Sequence, residues 1–204
     1  MGMPSFFADA PRIVMHDPLA GFLGAAEGGL IEYRYGDAVR LAGHSCPTVA
    51  GAWLMARAAL RALYGDAVPE RGGIEVAMSG REDEGTTGVI AQVFTLLTGA
   101  TVENGFGGIG GRFGRRHLLR YGSGGPGVIA RFARRNRGGA VDVSMDLSGV
   151  PPGPGGNHLM MRAMAADATH DERAAFAAAW QDRVRRILIE HADDPAMIRV
   201  SAVA

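Results

Sequence analysis

The chain contains no lysine: all 21 of its basic residues are arginine. A phosphate loop of the Walker type and any Schiff-base mechanism are therefore excluded, because both need an ε-amine. Cysteine occurs once, at Cys46, so no internal disulfide and no intramolecular thiol–disulfide cycle can form. No charge of one sign prevails, since 21 acidic residues balance the arginines. That balance gives no bulk field for DNA, RNA or an anionic membrane. Apolar runs approaching the ~20 residues that span a bilayer are missing, as is a charged-then-apolar leader. The expectation is a soluble cytoplasmic protein with neither nucleic acid nor membrane as partner. At 204 residues the chain can bury a full core as one domain.

What is present centres on Gly43-His44-Ser45-Cys46-Pro47, followed at once by the apolar run Thr48 to Leu63. Proline suits a first helical position, where its missing N–H would have no partner. Ser45 and Cys46 then fall at the cap of a helix whose Val49, Trp53, Ala56, Leu60 and Leu63 share one face. Unpaired N–H groups and a partial positive charge gather at a helix N-terminus and favour an anionic sulfur placed there. A lone cysteine is more often a small buried apolar residue. The adjacent histidine and proline argue for a site.

GHSCP leading into a small-residue helix resembles the GH-x-CP motif of the formylmethanofuran dehydrogenase E-like (FmdE-like) family. The likeness continues through Met55-Ala56, Ala59-Leu60, a strand at Ile74 to Met78, the segment Leu97-Thr98-Gly99-Ala100-Thr101 and a late helix with Trp180 and Arg183-Val184. It implies an α+β homodimer, with a mixed or antiparallel sheet, packed helices and a metal-binding cleft at the His-x-Cys motif. Residues 1–40 would form an N-terminal helix and hairpin, and 41–192 the core. Three departures stand out. Ala42 occupies the place of a second family histidine; Val89 and Gln92 stand where the family has a cysteine and an aspartate; and one cysteine cannot build the C-terminal zinc module of some members.

Along the chain, an extended piece at Ile13 to Met15 precedes a helix that Asp17 caps, with Pro18 in its first turn and Gly28-Gly29 at its end. Alternation at Ile31, Tyr33 and Tyr35, a Gly36-Asp37 turn, then Val39 and Leu41 predict a hairpin that delivers the chain to His44. A strand at Ile74 to Met78 runs into the polar turn 79–87, whose Asp83 and Glu84 precede a buried helix capped by Thr86 or Thr87. The pattern predicts strands at His117 to Tyr121, Val128 to Arg134 and Val141 to Met145. The basic turn 135–139 reads as solvated. Ser148 to Gly156 reads as a loop delivering Asn157-His158, Thr169 with Glu172 as a capping box for the last helix, and Met197 to Val203 as an edge strand.

Gly105 to Gly110 satisfies G-x-G-x-x-G, but a helix precedes it and a strand follows. That is the reverse of the dinucleotide-binding order. What remains is a loop flanked by Arg112, Arg115 and Arg116 that could hold an anion through guanidinium forks and backbone N–H groups.

His44 and Cys46 supply two borderline-to-soft ligands suited to zinc or another late divalent transition metal. One more from His16, Glu84, His117 or His158 would give three protein ligands and an open position, the pattern of catalytic zinc. The H-x-E with P-C-x-x-C of zinc deaminases and the G-x-S-x-G nucleophile elbow are absent. Other readings are a Cys46 nucleophile with His44 as base, a non-enzymatic binder of a metal complex or tetrapyrrole-type cofactor, and an accessory component of a larger assembly. The reading adopted is a metal- or thiolate-dependent site acting on a small anionic or cofactor-like ligand.

Overall fold

Period-two alternation decides the main sheet of the structure, a computed structural model that describes residues 2–136 and 138–203. Strands β3 (Ile74–Met78), β4 (Leu119–Arg120), β5 (Ala130–Arg134), β6 (Ala140–Met145) and β7 (Ile198–Val203) form a five-stranded mixed sheet in the order β4-β3-β5-β6-β7. β3 and β4 are parallel; the other pairs are antiparallel. Ile74, Val76, Met78, Phe132, Val141 and Val143 are buried. Between them in sequence, Arg131 faces its register partner Asp142 and binds it through two hydrogen bonds of 2.7 and 2.9 Å. Charge on one face and aliphatic side chains on the other is what an antiparallel sheet covered on one side requires.

Helix α3 (Pro47–Tyr64) covers that apolar face, lying across β5, β6 and β7. Twelve of its 18 residues are buried, and the small ones let it approach closely: a Cβ on Gly51 would collide with the sulfur of Met145 on β6. Helix α4 (Thr87–Thr98) packs beside it, apolar nearly all round as expected, with Phe94 edge-on to Phe132 at 4.8 Å. Trp53 is fully buried, and its indole N–H donates to the Pro11 carbonyl at 2.9 Å. A row of edge-to-face aromatic contacts runs from it through Tyr35 to Phe7 and Phe6.

The N-terminal region departs from the expected hairpin. β1 (Ile13–His16) pairs antiparallel with β2 (Leu30–Tyr33), and the short helix α1 (Pro18–Phe22) stands between them. Asp17 caps α1 as read from the sequence, accepting from the N–H groups of Leu19 and Ala20. Tyr35, read as the end of the first strand, and Gly36 to Leu41, read as a turn and second strand, lie instead in helix α2 (Tyr35–Ala42). Tyr35 and Ala38 are fully buried, with Val39 and Ala42 packed against the core behind them. That i, i+3, i+4, i+7 spacing is helical, and Asp37 accepts the Arg34 N–H at 2.9 Å to start it.

The loop read over Ser148 to Gly156 is present, and it leads into α5 (Gly156–Met164), a helix not predicted from the sequence, which pairs with α6 (His170–Arg185). The Thr169–Glu172 capping box that starts α6 is present as predicted. A π-helical turn, Arg186–Glu190, carries α6 into the core through Ile187 and Leu188. Together these elements make an α+β fold. No described helix is long and apolar enough to cross a membrane. Of the basic turn 135–139, Arg137 lies outside the described residues.

Candidate functional site

The His44–Cys46 turn joins two helices rather than a strand and a helix. Gly43 ends α2 in the left-handed region at φ 74°, its N–H returning to the Val39 carbonyl, a conformation glycine adopts without strain. Cys46 is the N-cap of α3 and Pro47 its first residue, as the sequence indicates. The thiol accepts the Val49 N–H at 3.4 Å, satisfying one of the helix's open donors.

Ser45 is the residue that ties this turn down. Its hydroxyl pairs with the Tyr35 hydroxyl at 3.0 Å, and its carbonyl accepts from the Trp180 indole N–H at 3.0 Å and the Gln181 amide at 3.2 Å. Burial pushes the Tyr35 phenol well above its ordinary value, with the Ser45 hydrogen bond pulling the other way. Tyr35 therefore stays a neutral hydroxyl in the core. With the middle residue fixed by α2 and α6, the two flanking side chains remain accessible: His44 is exposed and Cys46 half-buried.

His44 has a defined partner. Its Nδ1 lies 2.9 Å from the Ala42 carbonyl oxygen. A carbonyl only accepts, so Nδ1 carries the proton and, in the neutral ring, Nε2 carries the lone pair. A backbone carbonyl on one ring nitrogen is the usual arrangement behind a histidine that ligates metal through the other.

The remaining sequence candidates lie apart from one another. His16 ends β1 and lines a cleft with Tyr64, the last residue of α3. An 18-residue helix is about 27 Å long, so His16 belongs to the opposite end of α3 from Cys46. Glu84 accepts the Arg81 N–H at 3.0 Å in the turn ahead of α4. His117 is exposed at φ 61°, its N–H donating to the Val102 carbonyl. His158 is exposed on α5. Among the described residues no three His, Cys, Asp or Glu side chains gather as a metal-ligand group. Within one chain, then, no third described residue of these types joins His44 and Cys46.

The arginine trio does not act together either. Arg115 is only 5 % exposed and binds Asp17 at 2.7 Å, alongside Arg71 at 3.0 Å on the other carboxylate oxygen. Arg116 donates to the Gly105 carbonyl at 2.6 Å, and Arg112 lies over the Phe113 ring at 4.8 Å. Arg115 is thus committed to the fold, while Arg112 and Arg116 brace the glycine-rich loop.

Sequence reasoning does not find Tyr35, Trp180 and Gln181 as the supports of the turn. Trp180 is legible only as part of an apolar stripe, and nothing local links it to a carbonyl 135 residues away. A cleft of about 310 Å³ opens between α2 and α4, lined by Leu41, Gln92, Arg71 and Tyr121 among others. Leu41 is three residues before His44. No protein-family model matches the chain, and no curated protein matches it.

Proposed function

We propose that the chain is a cytoplasmic, FmdE-like metal-binding protein in which His44 and Cys46 hold a divalent transition metal, zinc before others. The observation that carries this reading is the Ala42 carbonyl on His44 Nδ1, which leaves Nε2 as the donor atom on an exposed ring. An imidazole nitrogen and a thiolate sulfur suit zinc. Two protein donors are too few for a closed site, so the remaining positions belong to water, a small ligand or a second copy of the chain. A metal held this way would act as a Lewis acid toward a bound oxygen ligand.

The ligand in this reading is small and anionic or cofactor-like; the cleft between α2 and α4 starts at Leu41, three residues before His44, and is lined by neither His44 nor Cys46. Gln92 stands where the resemblance puts a family aspartate, and it lines that cleft beside Leu41. Arg71 and Glu82 both line it, so its charges balance, and Arg71 is also paired with Asp17.

A homodimer is part of the proposal. Met161 and Met164 on α5 are 69 % and 77 % exposed, and Met160 borders an apolar groove with Phe176 and Trp180. Large apolar side chains left in water on one helix suit a partner surface. A copy seated there would lie against Trp180, which itself holds Ser45.

Elemental analysis of purified protein, wild type against His44→Ala and Cys46→Ser, tests the metal reading. Stoichiometric metal in the wild type and its loss in both folded variants is the expected result. Metal-free wild type with a thiol that reacts readily with iodoacetamide would sink it and favour a Cys46 nucleophile.

A further inference from the structure

At the far end of α3 from His44 and Cys46 lies a cleft of about 500 Å³, walled by His16 at the end of β1, Tyr64 at the end of α3, Glu70, and Arg134 and Arg135 at the end of β5. We propose that this cleft binds a small organic oxyanion, a carboxylate or a phosphate carried on an apolar body.

The two arginines of this cleft are held in an unusual way for this chain. Most arginines of this chain lie within 4 Å of a carboxylate, but neither Arg134 nor Arg135 has such a partner among the described residues. Their contacts are neutral instead. The Arg134 guanidinium lies over the Tyr64 ring at 4.2 Å and donates to the Leu63 carbonyl at 3.2 Å. Arg135 donates to the Gly72 carbonyl at 3.1 Å. Stacking and carbonyl bonds fix a guanidinium in place without cancelling its charge, which is the preparation a bidentate oxyanion site needs.

Glu70 is the one carboxylate among the described residues of the wall, and it pairs with neither arginine; its Oε1 lies close over Gly73 instead. Two fixed cations against one anion leave the wall net positive. Glu70 and His16 are available to a hydroxyl or amine of the same ligand. Leu30 and Val68 also line the cleft while 52 % and 46 % exposed. Those apolar side chains distinguish an organic anion from a bare inorganic one, since only the former gains by covering them. The inference does not rest on the metal reading, because about 27 Å of helix separates the two places.

Calorimetric titration of the full chain with phenyl phosphate, benzoate and inorganic phosphate tests it, the first two telling a phosphate ligand from a carboxylate. Saturable binding of phenyl phosphate or benzoate is expected, tighter than inorganic phosphate. Arg135→Gln should weaken it about tenfold. Val68→Ser should weaken the aromatic probe and leave inorganic phosphate unchanged. Arg134→Gln, paired with a thermal melt because Arg134 also braces α3, provides the second variant. No saturable heat with any of the three probes, or affinity in both arginine variants equal to that of wild type, would overturn the proposal. So would binding that is lost in Cys46→Ser but kept in Arg135→Gln.

Discussion

Asp17 holds two guanidinium groups and two backbone N–H groups on one carboxylate that is almost sealed from water. Burial raises its pKa, and the Arg71 bond, the Arg115 charge and the Ala20 and Leu19 N–H groups together outweigh that, leaving it below the ordinary 3.8. A depressed folded value means that the unfolded chain takes up the proton first as pH falls. The stabilisation is therefore complete above about pH 4 and is lost as pH drops through the folded value. Asp17→Asn keeps a capping oxygen but strands buried Arg115, and it should cost about 3 kcal/mol at neutral pH. Urea melts at pH 7 and pH 3 check this: the variant should lie below wild type at pH 7, and the gap should narrow in acid. The capping role of Asp17 is readable from Asp-Pro alone. Its arginine partners, 54 and 98 residues away, are not, because no local pattern encodes a contact that only the closed fold creates. Arg115 accordingly reads as a loop cation free for a ligand.

At the scale of elements, α3, α4, α6 and the strands β3, β5, β6 and β7 are legible because each carries one unambiguous period and clear punctuation by proline, glycine or a cap. One misreading and one omission share a cause. In residues 31–41 a glycine–aspartate pair looks like a hairpin turn, yet Asp37 serves as the third residue of a helix whose Tyr35 and Ala38 face the core. After the loop at 148–156, which is present, no element is read from the sequence over 159–164, most of a nine-residue helix that packs on α6. Both helices are short, and tertiary contact rather than intrinsic propensity holds them. For α3 the decisive local feature is Gly51, set where the helix meets β6. Gly51→Val should drive into Met145 and destabilise the protein by about 1–3 kcal/mol. Denaturant unfolding checks the cost, and Met145→Ala in the same chain should recover part of it.

For the whole molecule, the strand order β4-β3-β5-β6-β7 cannot be read from sequence, since the parallel addition of two-residue β4 depends on a long excursion after α4. The candidate site is half legible: GHSCP marks the turn, and the structure adds the three side chains that fix Ser45. The apolar surface around α5 leads to a prediction at this scale. Light scattering on a sizing column should give a dimer for wild type and a monomer for Met161→Glu with Met164→Glu; a monomeric wild type would remove the dimer from the proposal.

The chain has two tryptophans, and the fold gives them unlike duties. Trp53 is sealed in the interior, whereas the indole of Trp180 hangs from the backbone of the very turn that carries His44 and Cys46. Emission from the first should be indifferent to small guests, and emission from the second should shift or be quenched when that turn is occupied. Replacing Trp53 with phenylalanine would leave a single tryptophan, bonded to the turn, so that with excitation at its red edge, away from the four tyrosines, occupancy could be followed optically with no added dye.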